Sequence, residues 1–100
     1  MKVYLSELAE NRLLLLTEYL ILKWNLKVKN DFIEKLTQKI EQISNQPECC
    51  PQSKDFLGIF KCVVTKQTTF YYRIFFDENE IEIITIFDTR QNPHNLNKDI

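Results

Sequence analysis

Residues Phe60–Asp88 read FKCVVTKQTTFYYRIFFDENEIEIITIFD, and this stretch decides the fold. β-branched and aromatic residues dominate it, side chains that pack well on the pleated, half-buried surface of a sheet. Two polar interruptions, Lys66–Thr69 and Asp77–Glu80, break it where turns belong. The pattern predicts three strands, Ile59–Thr65, Phe70–Phe76 and Ile81–Phe87. Connections this short join antiparallel neighbours, so the three form a meander.

Side chains alternate across a strand, so the faces sort by parity as long as no bulge intervenes. Phe60, Cys62 and Val64 then share a side with Phe70, Tyr72, Ile74 and Phe76, and with Ile81, Ile83, Thr85 and Phe87. This more apolar set belongs under helices. The opposite, open face collects Lys61, Arg73 and, if the chain stays extended, Arg90, together with Val63, Tyr71, Phe75, Ile84 and Ile86. Apolar surface rimmed by cations suits a protein-binding groove or an RNA-binding platform. A C-terminal tail, Asn92–Ile100, folded back over that face is the structural alternative. Charge is segregated too: Lys54–Arg73 holds four basic residues and one acidic, net +3, while Asp77–Asp88 holds five acidic and no basic, net −5. Adjacent strands of opposite charge can pair across the sheet.

Upstream, a short strand at Val3–Leu5 precedes Ser6, which stands where an N-cap belongs. Glu7 and Glu10 follow it in the first turn, where the helix dipole favours negative charge. The first helix is expected over Glu7–Trp24. Ala9, Leu13, Leu16, Leu20 and Trp24 step by three or four along one face, and Leu8, Leu15, Tyr19 and Leu22 form a second stripe beside it. Either this helix is sandwiched between the sheet and a second helix, or the extra stripe meets a partner protein. After a brief turn at Asn25 and Leu26, the positions Val28, Phe32, Leu36, Ile40 and Ile43 mark a second helix. It stops near Ser44, ahead of Asn45 and Pro47. Two helices so closely joined form an antiparallel hairpin. Gln46–Lys54, with Pro47 and Pro51 around Cys49 and Cys50, reads as a loop. The expected architecture is α+β: an N-terminal strand, a helical hairpin, then the meander, with both helices on one face of the sheet. Residues 1–100 make one domain, ending in a short tail at 92–100.

Composition narrows the function. Gly58 is the only glycine, which excludes phosphate cradles and nucleophile elbows that depend on several glycines. A net charge of −1 supplies no global field for binding a polyanion. The three cysteines, Cys49, Cys50 and Cys62, are odd in number and suit a reduced, cytoplasmic setting. Together with His94 they fit no common zinc spacing, so neither a metal nor a cofactor is expected. The longest purely apolar runs reach four residues, as in Leu13–Leu16, and the N-terminus carries no export signal, so a membrane is not an expected partner.

The order strand, helical hairpin and FKCVVTKQTTFYYRIFFDENEIEIITIFDTRQNP closely resembles the RelE/ParE superfamily of type II toxin–antitoxin toxins. Tyr72-Arg73-Ile74-Phe75-Phe76 is similar to the family's YRI-F-Y strand. Ile83–Pro93 is similar to its closing strand, which ends in an Arg, polar residues and Pro. The resemblance implies the compact toxin fold, a cytoplasmic growth inhibitor of the plasmid-stabilisation type, and a cognate antitoxin whose C-terminal segment wraps and blocks it. RelE-like members of that superfamily are ribosome-dependent mRNA endonucleases, whereas ParE-like members poison DNA gyrase by binding. Inactive interaction modules of the same fold are a further class.

By that resemblance Arg73 and Arg90 fall where RelE-like nucleases carry active-site arginines, and Lys61 lies near their lysine-bearing strand. Val63 stands where a second lysine would be, and Leu96 where a C-terminal tyrosine would be. His94 is then the candidate acid or base, since an unperturbed histidine titrates near pH ~6.5. The catalytic set of the nuclease reading is thus Lys61, Arg73, Arg90 and His94. The incomplete set and the near-neutral charge favour the ParE-like reading, with no catalytic residues and an antitoxin groove formed by Tyr71, Arg73, Phe75, Ile84, Ile86 and Arg90 beside the first helix.

Overall fold

The structure, a computed structural model, describes residues 1–90. Its elements are β1 (Lys2–Leu5), α1 (Glu7–Lys23), α2 (Leu26–Asn45), β2 (Phe60–Val63), β3 (Thr68–Phe75) and β4 (Glu80–Asp88). A single 3-10 turn, Phe76–Glu78, links β3 to β4 and ends on Asn79 at φ 56°, a left-handed conformation that asparagine tolerates. The sheet order is β1-β4-β3-β2: the meander is antiparallel, as its short turns require, and β1 lies parallel to β4 at one edge. The α+β architecture agrees with the sequence pattern; the placement of β1 is what the structure adds.

Local chemistry sets the boundaries. Ser6 caps α1, its Oγ accepting the Ala9 N–H at 3.0 Å. Asn25 caps α2 in the same way through Val28 N–H at 2.9 Å, so Leu26, expected in the turn, is already the first residue of the helix. Both helices pack on one face of the sheet. Ala9, Leu16 and Leu20 of α1 and Phe32, Leu36 and Ile43 of α2 meet Phe60, Cys62, Phe70, Tyr72, Ile81, Ile83 and Ile86 in the main core. Tyr72 is fully buried, stacks on Phe60 with ring centroids 5.2 Å apart, and donates its hydroxyl to the Pro47 carbonyl at 2.7 Å. That bond ties the loop after α2 to the middle of the sheet.

The parity assignment holds for β2 and β3 and fails halfway along β4. Tyr71 pairs with Thr85 but Tyr72 with Ile83, so Ile84 is an extra residue, a bulge. Beyond it the faces exchange. Ile86, expected on the open face, pairs with Phe70 and is buried in the main core, and Asp88 turns to the helix side with it. Phe87, expected under the helices, packs on the other face with Ile59, Tyr71, Ile84 and Phe56. Ser6 pins the bulge: its N–H donates to the Ile83 carbonyl at 2.9 Å and its Oγ–H to the Ile84 carbonyl at 2.6 Å. One residue thus caps α1 and satisfies two consecutive carbonyls where the ladder is interrupted. Phe76, expected as the last core residue of β3, leaves the strand and is exposed.

Candidate functional site

The open sheet face is divided. Toward β2 it is covered by the chain itself. Phe56, from the segment between α2 and β2, packs on the small cluster of Ile59, Tyr71 and Ile84, each buried. The same segment lies along the outer edge of β2, where Lys61 N–H donates to the Pro51 carbonyl at 2.9 Å and Ser53 N–H to the Ile59 carbonyl at 2.6 Å. Tyr71 and Ile84 therefore sit on the expected face but beneath a lid. Lys61 and Val63 stay exposed beside it.

Toward β1 the face is open and charged. Arg73 pairs across the strands with Glu82, through Nε and Nη2 to the same carboxylate oxygen, each at 2.8 Å. Its guanidinium carbon also lies 5.4 Å from the centre of the Phe75 ring, a cation–π arrangement that fixes the side chain. Tyr4 of β1 aligns with Glu82, and its phenol is pushed up first by desolvation and then by Glu82, Glu80 and Glu78. The opposite charges of β3 and β4 thus meet as a cross-strand pair at Arg73 and Glu82, and an acidic border remains beyond it.

Arg90 is not part of this face. The exchange of faces at Ile84 carries the end of β4 to the helix side, where Arg90 lines a cleft of about 220 Å³ with Leu20, Val28, Asp31, Phe32 and Lys35. There it is bound twice to Asp88, Nη2 to Oδ2 at 2.7 Å and Nε to Oδ1 at 3.0 Å, and its own N–H donates to Oδ1 at 2.9 Å. Thr68 Oγ1–H donates to Asp88 Oδ2 at 2.6 Å. Burial alone would raise the Asp88 carboxyl; the Arg90 and Thr68 hydrogen bonds outweigh it and hold the group below the usual carboxylate range. The same bond raises Arg90 further. Arg90 is therefore a structural clasp on Asp88, the partner its sequence spacing offers as the structural alternative to a functional role; Thr68, which binds the same carboxylate, carries no such sequence signal.

The outer face of α1 is the second exposed surface. Leu8, Leu15 and Leu22, seven residues apart, and Leu14 and Ile21 beside them are exposed, Leu22 at 87%. The sandwiched packing of this stripe does not occur: α2 covers a different side of α1, and only Tyr19 of the stripe is half-buried against the core. Of the expected site residues, Arg73 and Phe75 share the open face with Lys61, whereas Ile86 and Arg90 lie across the sheet from them. His94 lies outside the described residues, as does the tail 92–100. Among the described residues no helix is long and apolar enough to cross a membrane.

Residues 3–93 match the family described as ParE toxin of type II toxin–antitoxin system, parDE. No curated protein matches the chain. Among solved structures, a chain of the chromosomal ParDE TA system from P. aeruginosa is similar over 88% of this chain and 95% of its own, at a TM-score of 0.70 and 12% identity. The YoeB/ParE toxin from Agrobacterium tumefaciens is similar over 88% of this chain and 98% of its own, at 0.65 and 17%. At such identities the likeness speaks for the fold. With a family match that spans both helices, the meander β2–β4 with Arg73 and Arg90, and β1 from Val3, the chain belongs to the ParE toxin family of type II toxin–antitoxin systems.

Proposed function

We propose that this chain is a cytoplasmic toxin that binds and poisons DNA gyrase, inhibits growth, and is neutralised by a cognate antitoxin. Family membership supports the toxin role. The observation that carries the choice within the superfamily is the separation of the cations. Metal-free RNA cleavage needs positive groups converging on one phosphate. Here Arg73 is paired with Glu82 on one face of the sheet, and Arg90 is clasped by Asp88 on the other. Such an arrangement favours a protein-binding surface over a nuclease site.

For the antitoxin, the available groups are the exposed Arg73 with the half-buried Phe75 on the open face, and the exposed Leu8, Leu15 and Leu22 on α1. Because these lie on opposite sides of the sheet, a single segment engaging both has to wrap around the molecule. The β2 edge is occupied by Pro51–Ser53, while β1 ends the sheet on the other side. A wrapping segment therefore crosses at β1. Expression without antitoxin in a bacterium reporting the DNA-damage response tests the reading: induction of that response with continued translation is expected. Prompt cleavage of mRNA at ribosomal A sites with arrested translation would assign the chain to the RelE-like class instead.

A further inference from the structure

We infer that Cys49, Cys50 and Cys62 form a thiol relay through which a low-molecular-weight disulfide of the glutathione class converts the chain to a Cys50–Cys62 disulfide. All three are free thiols, and they are graded from surface to core: Cys49 exposed, Cys50 half-buried, Cys62 buried. Cys49 Sγ lies 3.8 Å from Cys50 Sγ. Cys50 packs against the main core, of which Cys62 is a member, and the antiparallel bridge of Gln52 with Phe60, continued by the Lys61 N–H to Pro51 carbonyl bond, sets Cys50 opposite Cys62. All three line one cleft of about 410 Å³ with Lys39, Gln42, Pro51 and Lys61. Cys50 is thus the middle member, in reach of both others, and it sits in the segment that forms the lid over Tyr71 and Ile84.

The chemistry runs inward. The Cys49 thiolate, the most accessible, attacks the small disulfide and releases one thiol. Cys50 attacks Cys49 Sγ in the mixed disulfide and releases the second thiol. Cys62 then attacks Cys50 Sγ, and Cys49 leaves as a free thiol. In sum two protein thiols lose two electrons and two protons, which leave with two molecules of reduced small thiol. The final bond replaces a strained pairing of adjacent residues by one between Cys50 and Cys62, which face each other across the edge of β2 in the reduced fold. Burial, and then the neighbouring Cys50 thiol, push the Cys62 thiol up to about 12, and Cys49 is also raised. The relay is therefore slow near neutrality and speeds up as pH rises. The product covalently closes the segment 50–62 and fastens the lid to β2.

The test is oxidation of the folded chain with glutathione disulfide at mildly alkaline pH, followed by alkylation and tryptic mapping. Cleavage after Lys39, Lys54, Lys61 and Lys66 leaves Cys49 and Cys50 in residues 40–54 and Cys62 in residues 62–66. The expected product is these two peptides joined, with Cys49 alkylated, an intact mass lower by two hydrogens before alkylation, and a higher Tm. Cys49→Ser, at an exposed position, should slow formation of the same bond roughly tenfold without preventing it. A stable glutathione adduct on Cys49, or a terminal Cys49–Cys50 bond with Cys62 still reduced, overturns the relay. Equal rates in the wild-type chain and Cys49→Ser would remove Cys49 as the entry point.

Discussion

At the scale of single residues, Asp88 shows how a polar group decides where a functional-looking cation ends up. It is 4% exposed and accepts from Arg90 and Thr68, so removing Arg90 leaves a buried carboxylate short of partners. Arg90→Ala is expected to cost about 2–3 kcal/mol at neutral pH, read from urea unfolding. The folded Asp88 carboxyl lies below its unfolded value, so its contribution is present above the unfolded pKa, about 3.9, and is lost as pH falls through the lower folded value. The variant and the wild type should therefore converge in acid. Arg73→Ala, by contrast, breaks a half-exposed pair worth at most about 1 kcal/mol, and should leave the fold intact while weakening antitoxin binding. A titration calorimetry series with the antitoxin separates the two arginines: a binding loss confined to Arg90→Ala would reverse their roles.

Among the elements, β4 explains most of what the sequence concealed. Its run Ile81-Glu82-Ile83-Ile84-Thr85-Ile86 alternates, repeats an isoleucine, and alternates again. That repeat is the trace of the bulge, visible in the sequence yet indistinguishable there from a strand buried on both faces. The three meander strands and α2 were legible because their periodicities are strong, and α1, apolar on more than one face, through its Ser6 cap and the acids of its first turn. The site was legible only in part, because one inserted residue exchanges the faces downstream and moves Ile86 and Arg90 away from Arg73. Asp88 was legible as a neighbour for Arg90, two residues away, but its bond to Thr68 was not, since that partnership exists only after the exchange. Ile86→Ala, in the main core, should cost about 2–4 kcal/mol, and Ile84→Ala, in the small lidded cluster, clearly less. Ser6→Ala removes a cap and the bond to the Ile84 carbonyl together, and should cost about 2 kcal/mol or slightly more. Chemical unfolding of these three variants in parallel checks the order.

For the molecule as a whole, the near-neutral charge resolves into two exposed surfaces on opposite sides of one sheet. One is the Arg73–Phe75 region with its acidic border; the other is the leucine stripe of α1. Replacing Leu15 and Leu22 by Lys should change stability by less than about 0.5 kcal/mol each, because both are already solvated, and should reduce antitoxin affinity at least about tenfold. The proposed toxic action is most directly tested with purified gyrase, relaxed plasmid and ATP. The account predicts that the chain blocks supercoiling and accumulates covalent gyrase–DNA complexes, and that prior addition of antitoxin abolishes both effects. Full gyrase activity in the presence of excess toxin, with mRNA cut on translating ribosomes by the same preparation, would contradict it.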